Sequence, residues 1–456
     1  MPLIRQLDPP SRAPVRVDAS RLLVWMMATA FLGVVFGVLP SGIAVQKATI
    51  LLFGLAILFA QLDVPLPRKA ISLVVPYLLY IVLAICSALA NSDSIIYMMA
   101  AVQPLLLGPM VYAVAVTSRI DQRGLERLRV GFLLLCIVQI AFVLLKLGVH
   151  GIDEKVLIGS MSHSAGQLGF LFPAIAVPIL MFLVNPRNRW QIYALLVGMF
   201  AFGIINEKRS VVFLLPVVLF AAALANRPES GPQRKRASFW LGTALMAVAG
   251  FVLGLRAIPS LNPDAGYSGG VSPAFAINYA IEYLTMDYGG SLQGNFENAA
   301  TDINIQVGRV IVVLEIVRWL SQADWITLLF GAGFGIATPS EFLGDQQDPL
   351  FQLIGTRGAI SGAGLAVLET GLIGLGLFFV FFFGMLSLAW RSARQARTDT
   401  ARRWFRTVMV LMAVFLYDFF FYSTTLLRTL PMPVLIFAIA ASLPIARRVD
   451  MQFNSN

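Results

Sequence analysis

Two arginines, a histidine, a carboxylate and a glycine-rich turn are the residues of this chain best placed to do chemistry. Asn206-Glu207-Lys208-Arg209-Ser210 is a short charged turn between two strongly apolar stretches. An arginine at a helix mouth can grip phosphate, because its planar fork donates two parallel hydrogen bonds. The plainer alternative for Lys208 and Arg209 is a pair of interfacial cations snorkelling to water. Arg309 stands in an apolar-patterned stretch over 305–320. On helical spacing it shares a face with Val312, Val313 and Ile316, while Glu315, Arg318 and Gln322 fall on the opposite side. An arginine on an apolar face needs a counter-charge, either a nearby carboxylate or an anionic ligand.

Gly331-Ala332-Gly333-Phe334-Gly335 follows Leu328-Leu329-Phe330. Such a turn lets a backbone approach phosphate closely, but no Rossmann strand precedes it. His163 precedes Gln167 by one turn, and His150 is the only other histidine. Two histidines with no neighbouring cysteine make no metal site. His163 is a general base, a phosphate ligand or a hydrogen-bonded interfacial residue. Glu369 lies inside an apolar run, where a carboxylate is either functional or paired with an arginine to hold helices together.

The elements that carry these residues are set by composition. Of the 456 residues 58% are hydrophobic and 13% charged, against about a quarter charged in soluble domains. A chain this apolar needs lipid as its solvent. Apolar runs long enough to span fall near 21–40, 43–62, 71–91, 96–117, 128–148, 164–184, 190–206, 210–226, 238–257, 360–389, 404–423 and 429–446. None alternates as a barrel strand would. The expectation is an all-α polytopic membrane protein of about twelve spans, its first run a retained helix rather than a signal peptide.

Arginine and lysine placement orients these spans. With the N-terminus inside, 24 of the 34 basic residues fall in the termini and alternate loops. That placement accounts for the +10 formal charge without nucleic acid. The predicted order is a cytoplasmic segment over 1–20, nine spans over 21–257, a large outward loop over 258–359, three spans over 360–446 and a cytoplasmic tail over 447–456. The outward loop is partly helical, with 305–320 and 325–336 patterned as a cap resting on the membrane. Lys208, Arg209, Arg309, Arg357 and Arg428 are among the basic residues on the outward side.

The order of these features resembles the O-antigen ligase and O-antigen (exopolysaccharide) polymerase superfamily of bacterial envelope glycosyltransferases. The resemblance rests on Gly159-Ser160-Met161-Ser162-His163 leading into Gln167-Leu168-Gly169, and on Asn206 to Ser210. It continues in Gly308-Arg309, Trp319 and Leu329 to Gly335, and in Leu365-Ala366-Val367-Leu368-Glu369-Thr370-Gly371-Leu372-Ile373-Gly374. Those blocks span about residues 159–390; the N-terminal helices match only in number. Members of the superfamily commonly carry a histidine ahead of the last of these blocks, where this chain has Ser361-Gly362-Ala363-Gly364.

The resemblance implies an inner-membrane enzyme with a periplasmic loop. It would transfer a polyprenyl-diphosphate-linked saccharide chain onto an acceptor saccharide hydroxyl, without metal or cofactor. Arg209, Arg309, Lys208, Arg357 and Arg428 would hold the diphosphate, with Glu369 or His163 as base. Implied partners are the lipid-linked donor and acceptor (undecaprenyl diphosphate being the carrier), membrane lipids, and chain-length regulator and export proteins. The missing loop histidine favours a polymerase over a ligase that moves glycan to lipid or protein. A lipid-linked saccharide flippase or secondary transporter, using Glu369 and Asp418, is the rival from another class.

Overall fold

In lipid a backbone must satisfy its own hydrogen bonds, and in an apolar run the α-helix does so within one segment. The computed structural model describes residues 19–31, 48–52, 54–55, 68–91, 95–117, 120–150, 168–184, 188–206, 209–227, 233–258, 261, 272–275, 309–334, 360–421 and 431–452. Among these residues the helices are α1 (Ala19–Phe31), α2 (Arg68–Asn91), α3 (Ile95–Thr117), α4 (Gln122–His150), α5 (Leu168–Leu183), α6 (Arg189–Ile205) and α7 (Arg209–Ala225). They continue with α8 (Gln233–Ala257), α9 (Arg309–Ala323), α10 (Trp325–Phe330), α11 (Gly362–Gln395), α12 (Asp399–Phe421) and α13 (Pro431–Gln452).

Ten of the twelve apolar runs coincide closely with one of these helices; α1 covers the run at 21–40 as far as Phe31, and the rest of that run and most of the run near 43–62 lie outside the described residues. Helix length then separates them. Among the described residues, five stretches are long and apolar enough to cross a membrane: 70–90, 122–149, 239–257, 362–395 and 399–421. The apolar α5, α6 and α7 have only 16, 17 and 17 residues, roughly 24–26 Å against a hydrocarbon core of about 30 Å. The chain is thus a polytopic helical membrane protein with five full-length candidate spans among the described residues, which does not by itself make twelve.

α11 and α12 form the centre. α11 packs on α2, α9, α10 and α13, and α12 packs on α5, α7 and α13; α3 lies along α13 and α8 along α7. Where α2, α11, α12 and α13 meet, aromatic rings interlock: Tyr80 with Phe378 at 4.3 Å between centroids, Tyr77 with Phe437 at 4.7 Å and Phe378 with Phe419 at 4.8 Å. Such tilted and edge-on pairs each add about 0.5–1.5 kcal/mol beyond their buried area. At the periphery α8 buries only 17% of its apolar window, and Leu241, Leu245 and Val248 stand exposed. An apolar surface of that kind calls for lipid.

Side chains hold the end of the bundle where α11 turns into α12. Asp450 of α13 accepts from the backbone amides of Arg397 and Thr398, at 2.8 and 2.9 Å, and from the Thr398 hydroxyl at 2.7 Å. Nearby, Asn226 donates to Thr407 Oγ1 at 3.0 Å, and Arg403 donates to the Phe182 carbonyl at 3.0 Å. Arg129 of α4 is buried with its guanidinium 4.6 Å from the Phe182 ring centre and 5.2 Å from that of Trp404.

Candidate active site

Glu369 is the one predicted site residue whose surroundings are described, and its position follows from a break in α11. Ser361 starts that helix, its Oγ accepting from the Gly364 amide at 3.1 Å, an N-cap. At Gly371 the backbone turns to φ 68°, ψ −169°, a conformation that side-chain-bearing L-residues avoid. A broken helix orphans the carbonyls of the turn before it, and in a membrane interior those groups need partners. Two neighbours supply them. The Ala332 amide donates to the Leu368 carbonyl at 2.7 Å, and the Ser87 hydroxyl of α2 donates to the Glu369 carbonyl at 3.0 Å. The same hydroxyl lies 3.1 Å from the Phe330 carbonyl, so it is shared between α10 and α11.

α10 is shaped to make that contact. Asp324 caps it, Oδ1 accepting from the Thr327 amide at 2.6 Å and Oδ2 from the Thr327 hydroxyl at 2.9 Å. These bonds, the amide first, hold the Asp324 carboxyl below the usual carboxylate range. The helix ends at Gly331, φ 84°, whose amide returns to the Thr327 carbonyl at 2.8 Å. A Cβ on Gly331 would run into the Glu369–Thr370 peptide, and one on Gly371 into the Leu329–Phe330 peptide. Two glycines therefore let two backbones meet face to face. The glycine-rich turn, weighed from sequence as a phosphate cradle, closes on α11 instead through Gly331.

The Glu369 side chain is 1% exposed. Tyr80 of α2, also buried, lies near Glu369 and Thr370, and its hydroxyl has no hydrogen-bond partner among the described residues. Thr370 spends its own proton on the Ala366 carbonyl at 2.7 Å. Asp418, near the end of α12, is a second buried carboxylate. Among the described residues no three His, Cys, Asp or Glu side chains gather into a metal-holding group.

Arg209 is the first residue of α7 and Arg309 the first of α9; their side chains lie outside what is described. His163, Lys208, Arg357 and Arg428 lie outside the described residues altogether. The helices fix some relations nonetheless. α9 packs on both α10 and α11, with Val313 and Ile316 near Gly364. Ile316 and Leu320 are buried while Arg318 and Gln322 are exposed, which is the two-faced helix expected from the spacing. α7 reaches α11 through α12. Asn206, at the end of α6, is fully buried: its amide nitrogen donates to the Phe202 carbonyl at 2.7 Å, while its Oδ1 has no hydrogen-bond partner among the described residues.

Sequence reasoning did not find Ser87, Tyr80, or the pairing of Gly331 with Gly371. The glycines were visible within their two blocks, but nothing in a single sequence pairs one block with the other. No protein-family model matches the chain, and no curated protein matches it either.

Proposed function

We propose that this chain is a membrane glycosyltransferase of the polysaccharide polymerase type, working at the outward face of the bacterial inner membrane. In that reading it has about twelve spans, the shorter helices included, and cytoplasmic termini. What supports it most is that Leu329–Gly333 and Leu365–Gly374, two blocks of the family resemblance, pack directly on each other around Glu369. The reading needs the outer segment and the post-loop helix to form one unit, and they do.

The donor's polyprenyl tail would lie against the bundle with its diphosphate at the outer surface. A cavity of about 960 Å³ lies between α7, α11 and α12, and another of about 880 Å³ between α6 and α8. The second suits the tail, because its Ile204 and Ile205 end adjoins Asn206 and the turn to Arg209. Arg209 and Arg309, with Lys208, Arg357 and Arg428, would neutralise the diphosphate. An acceptor sugar oxygen forms the new bond to the anomeric carbon as the bond to the diphosphate oxygen breaks. The electron pair leaves with the diphosphate, stabilised by the arginines, and the hydroxyl proton passes to a base. His163 or Glu369 fills that role; Glu369 would first have to be uncovered, given its burial.

Arg209→Ala and Arg309→Ala in the native host test this. Loss of long chains by about a hundredfold, the scale of one lost transition-state donor, with single lipid-linked units accumulating outside, supports it. Units trapped on the cytoplasmic side would refute it. That outcome would favour a flippase or transporter, for which the buried Glu369 and Asp418 are suitable groups. Full-length polysaccharide that fails only to reach its lipid or protein acceptor would point to a ligase.

A further inference from the structure

The cavity between α7, α11 and α12 has a polarity that glycosyl transfer does not use. Its floor is one stripe of α12: Arg402, Arg406, Met409, Val410, Ala413, Val414 and Tyr417. That spacing repeats every three to four residues, so all seven face one way. Both arginines sit at one end, beside Arg394 of α11, and the rest of the stripe is apolar. From Arg402 to Tyr417 it runs roughly 22 Å, deeper than the roughly 15 Å of one leaflet. The walls are open to the membrane, with Val217, Leu224 and Trp390 exposed.

The cationic end is built from several contacts. Arg394 lies over the Trp390 ring at 4.5 Å from its centre, the cation and aromatic pairing found at headgroup depth. Arg402 donates to Asp399 Oδ1 and to the Ala396 carbonyl, each at 3.2 Å. Asp399 pairs with Arg402 at 3.2 Å, and the three guanidinium groups gather at this one end of the groove. An apolar trough that ends in a cluster of guanidinium groups complements a molecule with a phosphate head and hydrocarbon tails.

We propose that this groove binds an anionic glycerophospholipid of the cytoplasmic leaflet. The phosphate meets Arg394, Arg402 and Arg406, and an acyl chain runs along Met409, Ala413 and Tyr417. The site is separate from the outward diphosphate site, and the proposal does not depend on the transferase reading.

The test uses the full-length protein, delipidated in a neutral detergent and titrated with phosphatidylglycerol, phosphatidylcholine, a polyprenyl phosphate or inorganic phosphate. Phosphatidylglycerol should raise the thermal midpoint by about 2–4 °C, with phosphatidylcholine and inorganic phosphate giving none of that rise. The variant R394Q/R402Q/R406Q should lose the rise. R227Q/R391Q/R397Q, with the same charge change at exposed positions outside the groove, should keep it. Equal shifts from both phospholipids, a shift from inorganic phosphate alone, or a response only to polyprenyl phosphate would each overturn the proposal. So would a full rise in the triple groove variant. If that variant does not fold, native mass spectrometry of the wild type decides. Phosphatidylglycerol retained against a tenfold excess of phosphatidylcholine supports the site, and its free exchange refutes it.

Discussion

The two ends of α11 are held by opposite means. At the Gly371 end backbone meets backbone, through two glycines at positive φ and a hydroxyl shared by two carbonyls. At the other end side chains carry the contacts: Asp450 of α13 accepts from three donors where α11 turns into α12, and beside that turn Arg403 of α12 reaches a carbonyl of α5. Charged side chains near a membrane surface can reach water, so long cations and a carboxylate suit that end. Inside the bundle the same groups would be costly, and close backbone approach supplies the hydrogen bonds instead. Glu369 is the buried carboxylate at this contact, whereas the Asp324 carboxylate that caps α10 is solvent-exposed.

This contrast predicts unequal mutational responses. Gly371→Val should be the most damaging, costing about 3 kcal/mol or more from positive φ and collision with the Leu329–Phe330 peptide. Gly376→Ala, in the same helix with open space around it, should be neutral. Size-exclusion profiles in detergent would show loss of the monodisperse peak only for the first. If both behave alike, the docked turn does not hold the bundle together.

Asp450→Ala should come next, at about 2–3 kcal/mol, since three donors lose a charged acceptor. Asp450→Asn should recover part of it, read as thermal midpoints. Ser87→Ala, which removes one shared hydrogen bond from the glycine-built end, should cost about 1–2 kcal/mol. A Ser87→Ala loss larger than that of Asp450→Ala would invert the comparison.

The smallest effect is pH-dependent. The Asp324 carboxyl is held below its ordinary range in the folded protein, so its capping contribution is present above that range. It is lost as the pH falls through the folded value. The gap in thermal midpoint between wild type and Asp324→Ala should therefore be constant from neutral pH to about pH 5 and close in stronger acid. A gap that widens in acid would show that the cap does not act through the carboxylate.

Helix placement was largely legible because apolar runs in lipid can only be helices or closed barrels. Length was legible too for α6 and α7, whose apolar runs at 190–206 and 210–226 match Arg189–Ile205 and Arg209–Ala225 to within a residue. The two faces of α9 were legible in its spacing, whereas the Asp324 cap of α10 emerged only from the structure. Gly371 hid inside an apolar run, where periodicity registers no dihedral angle. The docking of Gly331 on α11 joins residues about forty apart, which a single sequence does not pair. Of the candidate site, Glu369 was found from its charge alone, whereas Ser87 and Tyr80 look like ordinary members of an apolar helix.

Elongation by the purified protein tests the central claim most directly. Reconstituted in nanodiscs and given only polyprenyl-diphosphate-linked repeat units, it should extend them without added metal or nucleotide. Arg209→Ala and Arg309→Ala should each slow that extension about a hundredfold. Folded, monodisperse wild-type protein that leaves the units unextended would contradict the account.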